Sequence, residues 1–69
     1  MGSTGITKRE AQVSHRLIQG KRDAEIAAIL GANVRTVHKH VQRLLRKLHA
    51  ETRTAAALRA TELGLARRP

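Results

Sequence analysis

Apolar residues recur along this chain in four short groups, at steps of three and four, and residues that start or stop helices bracket each group. The longest group follows Asn33, a residue type that accepts hydrogen bonds from the free N–H groups of a helix start. From there Val34, Val37, Val41, Leu44, Leu45 and Leu48 form one apolar face. Arg35, His38, Lys39, Gln42 and Arg46 repeat at the same steps on the opposite face, and Thr36, His40, Arg43 and Lys47 line a flank. Upstream, Asp23 is placed to cap a short helix, AEIAAIL, that Gly31 ends, with Ile26, Ala27 and Leu30 on its buried side. Only Gly31 and Ala32 separate it from the Asn33 cap, and two helices joined by so short a turn are a helix-turn-helix. The second of the two is the basic one. Ahead of this pair, Thr7 and Glu10 fit a capping box for a helix over Lys8 to Gln19, ended by Gly20. Its apolar face is thin: Val13, Leu17 and Ile18, helped by Ile6 and Ser14. Behind the pair, Thr52 caps an alanine-rich helix over Arg53 to Leu63, and Gly64 with Leu65 reads as its stop and hydrophobic tail contact. The pattern predicts an all-α, four-helix helix-turn-helix domain over residues 6–65, with a disordered lead at 1–5 and a disordered tail at 66–69.

Charge sharpens this picture. The stretch Ala32 to Leu48 holds no Asp or Glu, although surface helices usually mix signs to gain paired contacts. Over all 69 residues, 14 Lys and Arg face 5 Asp and Glu, a net +9. Such an excess points to nucleic acid first and to an anionic membrane second. With no aromatic residue, single-strand binding by base stacking is disfavoured. No cysteine is present, so neither a disulfide framework nor a thiolate metal site is available. No apolar run approaches the ~20 residues that span a bilayer, and no signal peptide is visible, so a soluble cytoplasmic protein is expected.

Catalytic and metal chemistry find little support. His38 and His40, two apart on a helix, diverge by roughly 200° and cannot share an ion. His15 and His49 have no visible carboxylate partner. Adjacent Ser14 and His15 face apart, with nothing to orient a base. The glycines are single helix stops, not a phosphate loop. No enzyme, metal or cofactor is expected.

In order and spacing, Thr7-x-Arg9-Glu10, Val13, Gly20-Lys21, Glu25-Ile26-Ala27-Ala28-x-Leu30-Gly31, Arg35-Thr36-Val37-x-x-His40-Val41, Leu45-x-Lys47-Leu48 and the run Thr52 to Ala60 resemble the LuxR/GerE/NarL-type helix-turn-helix domain. The resemblance covers about Ile6 to Leu65. It implies the output module of a bacterial transcription regulator, of response-regulator or quorum-sensing type, that binds double-stranded DNA and pairs weakly through its fourth helix or on DNA, with RNA polymerase as a possible further partner. Carried over by position, His38, Lys39 and Gln42 point into the major groove. Lys39 can then donate to guanine O6 and N7, and Gln42 can pair with adenine N6 and N7. Arg35 opens the same stripe and counts among the base readers as well as the phosphate contacts. Thr36, His40, Arg43 and Lys47, with Lys21 from the start of the second helix, are the phosphate contacts, which position without reading sequence. Ala55 and Arg59 are the dimerisation positions. His38 stands where the family commonly has Lys, which keeps a donor but makes its charge depend on pH.

Two departures from the family predict a looser domain. Ser14 and Arg16 replace large apolar residues of the first helix, so that Arg16 must run out to solvent. His49-Ala50 replaces a usual Gly-Val, and a left-handed His49 would cost about 1 kcal/mol relative to Gly. An ion pair of Glu10 with Arg53, tying the first helix to the last, is a further expectation. Two rival readings share the pattern: a sigma-factor region-four-like promoter-binding module, and a basic protein-interaction module.

Overall fold

The computed structural model describes residues 5–64. Four helices follow one another: α1 Lys8–Ile18, α2 Asp23–Leu30, α3 Val34–Lys47 and α4 Arg53–Glu62. The predicted lead, the tail and the Leu65 contact lie outside these residues, Gly5 excepted. α1 packs on α3 and α4, and α2 packs on α3. Ile26, Val13, Val37, Val41, Leu44 and Ala56 are closed off from solvent, with Leu17, Ala27, Leu48 and Ala60 beside them. Ile6, Ile18, Leu30, Leu45 and Ala50 close the margins of this core. Burying a side chain such as Leu44 contributes about 1.5–3 kcal/mol.

The helix ends follow from local chemistry. Thr7 Oγ1 accepts from the Glu10 N–H at 3.1 Å, and Glu10 Oε1 accepts from the Thr7 N–H at 3.0 Å, closing the capping box. Asn33 Oδ1 accepts from the Arg35 N–H at 2.7 Å, and Thr52 Oγ1 from the Ala55 N–H at 3.0 Å. At the end of α1, Gly20 turns left-handed at φ 81°. The N–H groups of Gly20 and Lys21 then bond back to Leu17 O and Arg16 O, satisfying two orphan carbonyls. His49 makes the same turn after α3 at φ 55°, with its own N–H on Arg46 O and that of Ala50 on Leu45 O. The left-handed histidine expected from the sequence is therefore present.

Three expectations are corrected. Arg22, not Asp23, caps α2: its carbonyl accepts the Ile26 N–H and its N–H donates to Glu25 Oε1 at 2.8 Å. Asp23 is the first helical residue, and its carboxylate faces sideways to other helices. Val34 is half exposed rather than on the buried face, because the first residue of α3 is left uncovered by any neighbour. Glu10 does not meet Arg53. α1 turns Glu10 to the far end of α3, where Lys47 takes it, while Arg53 at the start of α4 lies beside Asp23. Ser14, in contrast, behaves as a core residue. It is fully buried, and its hydroxyl donates back to Ala11 O at 2.8 Å. Arg16 is only part-buried and donates to Gln19 Oε1, so its head reaches the surface.

Candidate nucleic-acid interface

α3 carries the candidate interface. Its inner side, Val37, Val41, Leu44 and Leu48, is anchored in the core, which fixes the roll of the helix. The opposite stripe is thereby turned to solvent: Arg35, His38, Lys39, Gln42, Arg43 and Arg46 are all exposed. Thr36 is exposed beside them, and Lys21 is half-buried at the entry to α2. The sequence thus placed the outer stripe correctly, Val34 excepted. A helix supported on its apolar side and bare on its basic side has the dimensions of a major-groove reader, since that groove is about 12 Å wide and a helix about 10–12 Å across.

Three of the chain's acids are engaged in a cap or between helices, and only Asp23 of these reaches the outer stripe, at His38. Glu25 completes the α2 cap. Glu10, only 2% exposed at its side chain, accepts from Lys47 Nζ at 2.7 Å. Burial pushes the Glu10 carboxyl up, but the Lys47 ammonium and the Thr7 N–H outweigh that and hold it below the usual carboxylate range. Asp23 accepts from Arg53 Nη1 through one oxygen and faces His38 Nδ1 at 3.4 Å through the other. Arg53 Nη2 also donates to Lys21 O at 3.0 Å, pinning the turn between α1 and α2.

Lys47 therefore stands apart from the other predicted phosphate contacts. Its Nζ donates to Glu10 Oε1 and to Gly5 O, both at 2.7 Å, so two of its three donors face into the domain. The geometry gives it a structural task first. His40 is half-buried, with Nδ1 enclosed and unpartnered, and lies at the edge of the stripe rather than on it. Sequence reasoning gave Asp23 a capping role and missed its contacts with Arg53 and His38, which lie 30 and 15 residues away.

On α4, Ala56 and Ala60 are buried against α1 and α3 while Ala55, Leu58 and Arg59 are exposed, Leu58 by 62%. Ala55, Leu58, Arg59 and Glu62 follow at helical steps along one outer face, and Arg59 Nε lies 4.0 Å from Glu62 Oε1.

Two helices joined at a short turn, the second offering an exposed basic face and braced by the first and last helices, define a helix-turn-helix module. The family model for bacterial regulatory proteins, luxR family, matches residues 4–60, and the chain belongs to that family. It is 42% identical over 53 residues to the nitrate/nitrite response regulator protein NarP of Escherichia coli, covering 77% of this chain and 25% of that protein. It is 44% identical over 62 residues to the quorum sensing-dependent transcriptional regulator RpaR of Rhodopseudomonas palustris, covering 90% of this chain and 26% of that one. The transcriptional activator protein AnoR of Acinetobacter nosocomialis is 40% identical over 60 residues, 87% of this chain and 25% of its own length. The chain thus spans about a quarter of the length of these relatives. Among solved structures, the phage VqmA–DPO complex superposes with a TM-score of 0.88 at 25% identity, over 99% of this chain and 31% of that one.

Proposed function

We propose that this chain is a sequence-specific duplex DNA-binding module acting in bacterial transcription regulation, in the cytoplasm. The observation that carries the reading is the acid-free outer side of α3, exposed along its length and backed by a rigid core. The regulators it resembles support the reading, and the family assignment sets aside the sigma-factor-like alternative. Among the described residues no helix is long and apolar enough to cross a membrane. Arg35, His38, Lys39 and Gln42 face base edges; Lys21, Thr36, Arg43 and the edge residue His40 meet phosphates. Two copies pair through the outer face of α4 around Ala55, Leu58 and Arg59, weakly in solution and more firmly on DNA. RNA polymerase is a further partner of the bound regulator.

The test separates base reading from charge. Duplexes selected from a random pool supply the cognate site. Lys39→Ala is expected to lose about 1–3 kcal/mol on that site and to relax preference at one position. Arg43→Ala is expected to weaken cognate and random duplexes alike and to lower the salt slope by about one. Equal losses on both duplexes for Lys39→Ala would remove the groove-reading assignment. Binding with no preference among duplexes would leave only the basic interaction module.

A further inference from the structure

Among the α3 side chains assigned to base edges, His38 meets a side chain of another helix, Asp23 of α2. Its Nδ1 lies 3.4 Å from Asp23 Oδ2, a long hydrogen bond, while its side chain stays 61% exposed. An ionised carboxylate has no hydrogen to give, so Nδ1 is the donor in this contact. A neutral imidazole carries one N–H. With that hydrogen on Nδ1, Nε2 is left with a lone pair and accepts. Asp23 is itself held: Arg53, reaching from α4, takes its other oxygen and binds Lys21 O as well. The carboxylate is thus positioned by a different helix from the one that presents the ring.

On the DNA-binding reading given above, we infer that Asp23 is a specificity-determining residue: by keeping the proton of neutral His38 on Nδ1, it makes Nε2 a reader of base-edge donors. In the major groove those donors are the amino groups of adenine N6 and cytosine N4. Protonation of the ring turns Nε2 into a donor, which suits the guanine acceptors O6 and N7 instead. One base position therefore changes its preferred partner when the ring gains a proton.

From α2 the ring meets Asp23; from α4, Arg53 lies behind that carboxylate; on α3, Arg35 and Lys39 flank it along the exposed side. Glu10 of α1 sits with Lys47, nine residues along α3 and hence about 13 Å farther on at 1.5 Å per residue. Asp23 is therefore the acid that decides the ring's hydrogen.

The experiment has two arms. Ring 15N chemical shifts of free protein at pH 8 report the tautomer without DNA. Hydrogen on Nδ1 of His38 is expected, and hydrogen on Nε2 overturns the proposal. Selection from a random duplex pool at pH 8 and pH 5.5 is the second arm. One position is expected to favour adenine or cytosine at pH 8 and guanine at pH 5.5, each by about fivefold, the worth of one hydrogen bond. Asp23→Ala is expected to favour guanine there at both pH values, whereas Arg53→Ala, which also breaks the Asp23–Arg53 contact, keeps the pH-dependent change. If both variants lose the change equally, Asp23 is merely a brace and the inference falls. A site that reads identically at both pH values for the wild type also overturns it, while leaving DNA binding intact. Failure to select any site would sink the DNA reading itself, and base selection by His38 with it.

Discussion

Replacing Lys47 by Met tests whether this cation serves the fold or the ligand. The change keeps most of the aliphatic stem and removes the ammonium. Glu10 then stays buried, 2% exposed at its side chain, with the Thr7 N–H as its remaining hydrogen bond at 3.0 Å. Breaking a fully buried ion pair from one side costs about 3–5 kcal/mol. Lys47 is 32% exposed at its side chain, and the capping bond still supports the carboxylate, so about 2 kcal/mol is the expected loss. In a domain this small, that lowers the melting temperature by roughly 8–16 °C. The measurement is a thermal or urea melt at several pH values. In the wild type the Glu10 carboxyl is held below its ordinary range, so its stabilisation is fully present above that range and disappears as pH falls through the folded value. The gap between wild type and variant is therefore widest near pH 7 and narrows below about pH 4. Salt dependence of DNA binding supplies the complementary readout. A lost phosphate contact lowers the slope of log affinity against log salt by about 0.9, whereas a lost brace leaves the slope of the folded fraction unchanged. A variant that melts like wild type but shows the smaller slope would refute the structural assignment.

Three further outcomes follow from other parts of the molecule. His49→Gly relieves a left-handed residue at φ 55° in an exposed turn and should stabilise the domain by about 1 kcal/mol, read as a higher urea midpoint at unchanged m-value. No gain would mean that the turn relaxes without the glycine. Leu58→Glu places a charge on the outer face of α4, outside the core, so sedimentation should find a monomer of unchanged stability whose affinity for two-half-site DNA falls; an intact dimer would move the pairing surface elsewhere. Ser14→Ala removes a hydroxyl that bonds only to its own helix at Ala11 O and should change stability by no more than about 0.5 kcal/mol, measured by the same melts; a large loss would show that the hydroxyl orders more than its own turn.

The elements themselves were readable along the chain because the interactions that define them are short in sequence. The capping box of Thr7 and Glu10, the Asn33 and Thr52 caps, and the left-handed turns at Gly20, Gly31 and His49 each involve residues within a few positions of one another. Apolar spacing on α3 likewise determined which side would be bare, since the buried stripe dictates the exposed one. The partners of the acids were decided elsewhere. Glu10 and Lys47 are separated by 37 residues, Arg53 and Asp23 by 30, and His38 and Asp23 by 15. No local rule ranks such pairs: in a chain with 14 cations, each acid has many possible mates, and helix packing selects among them. The sequence alone therefore defined a helix-turn-helix with a basic outer side. Tertiary packing decided which cations are held inside the domain, which remain exposed at the surface, and which side chain faces His38, because those depend on how helices distant in sequence are rolled against one core.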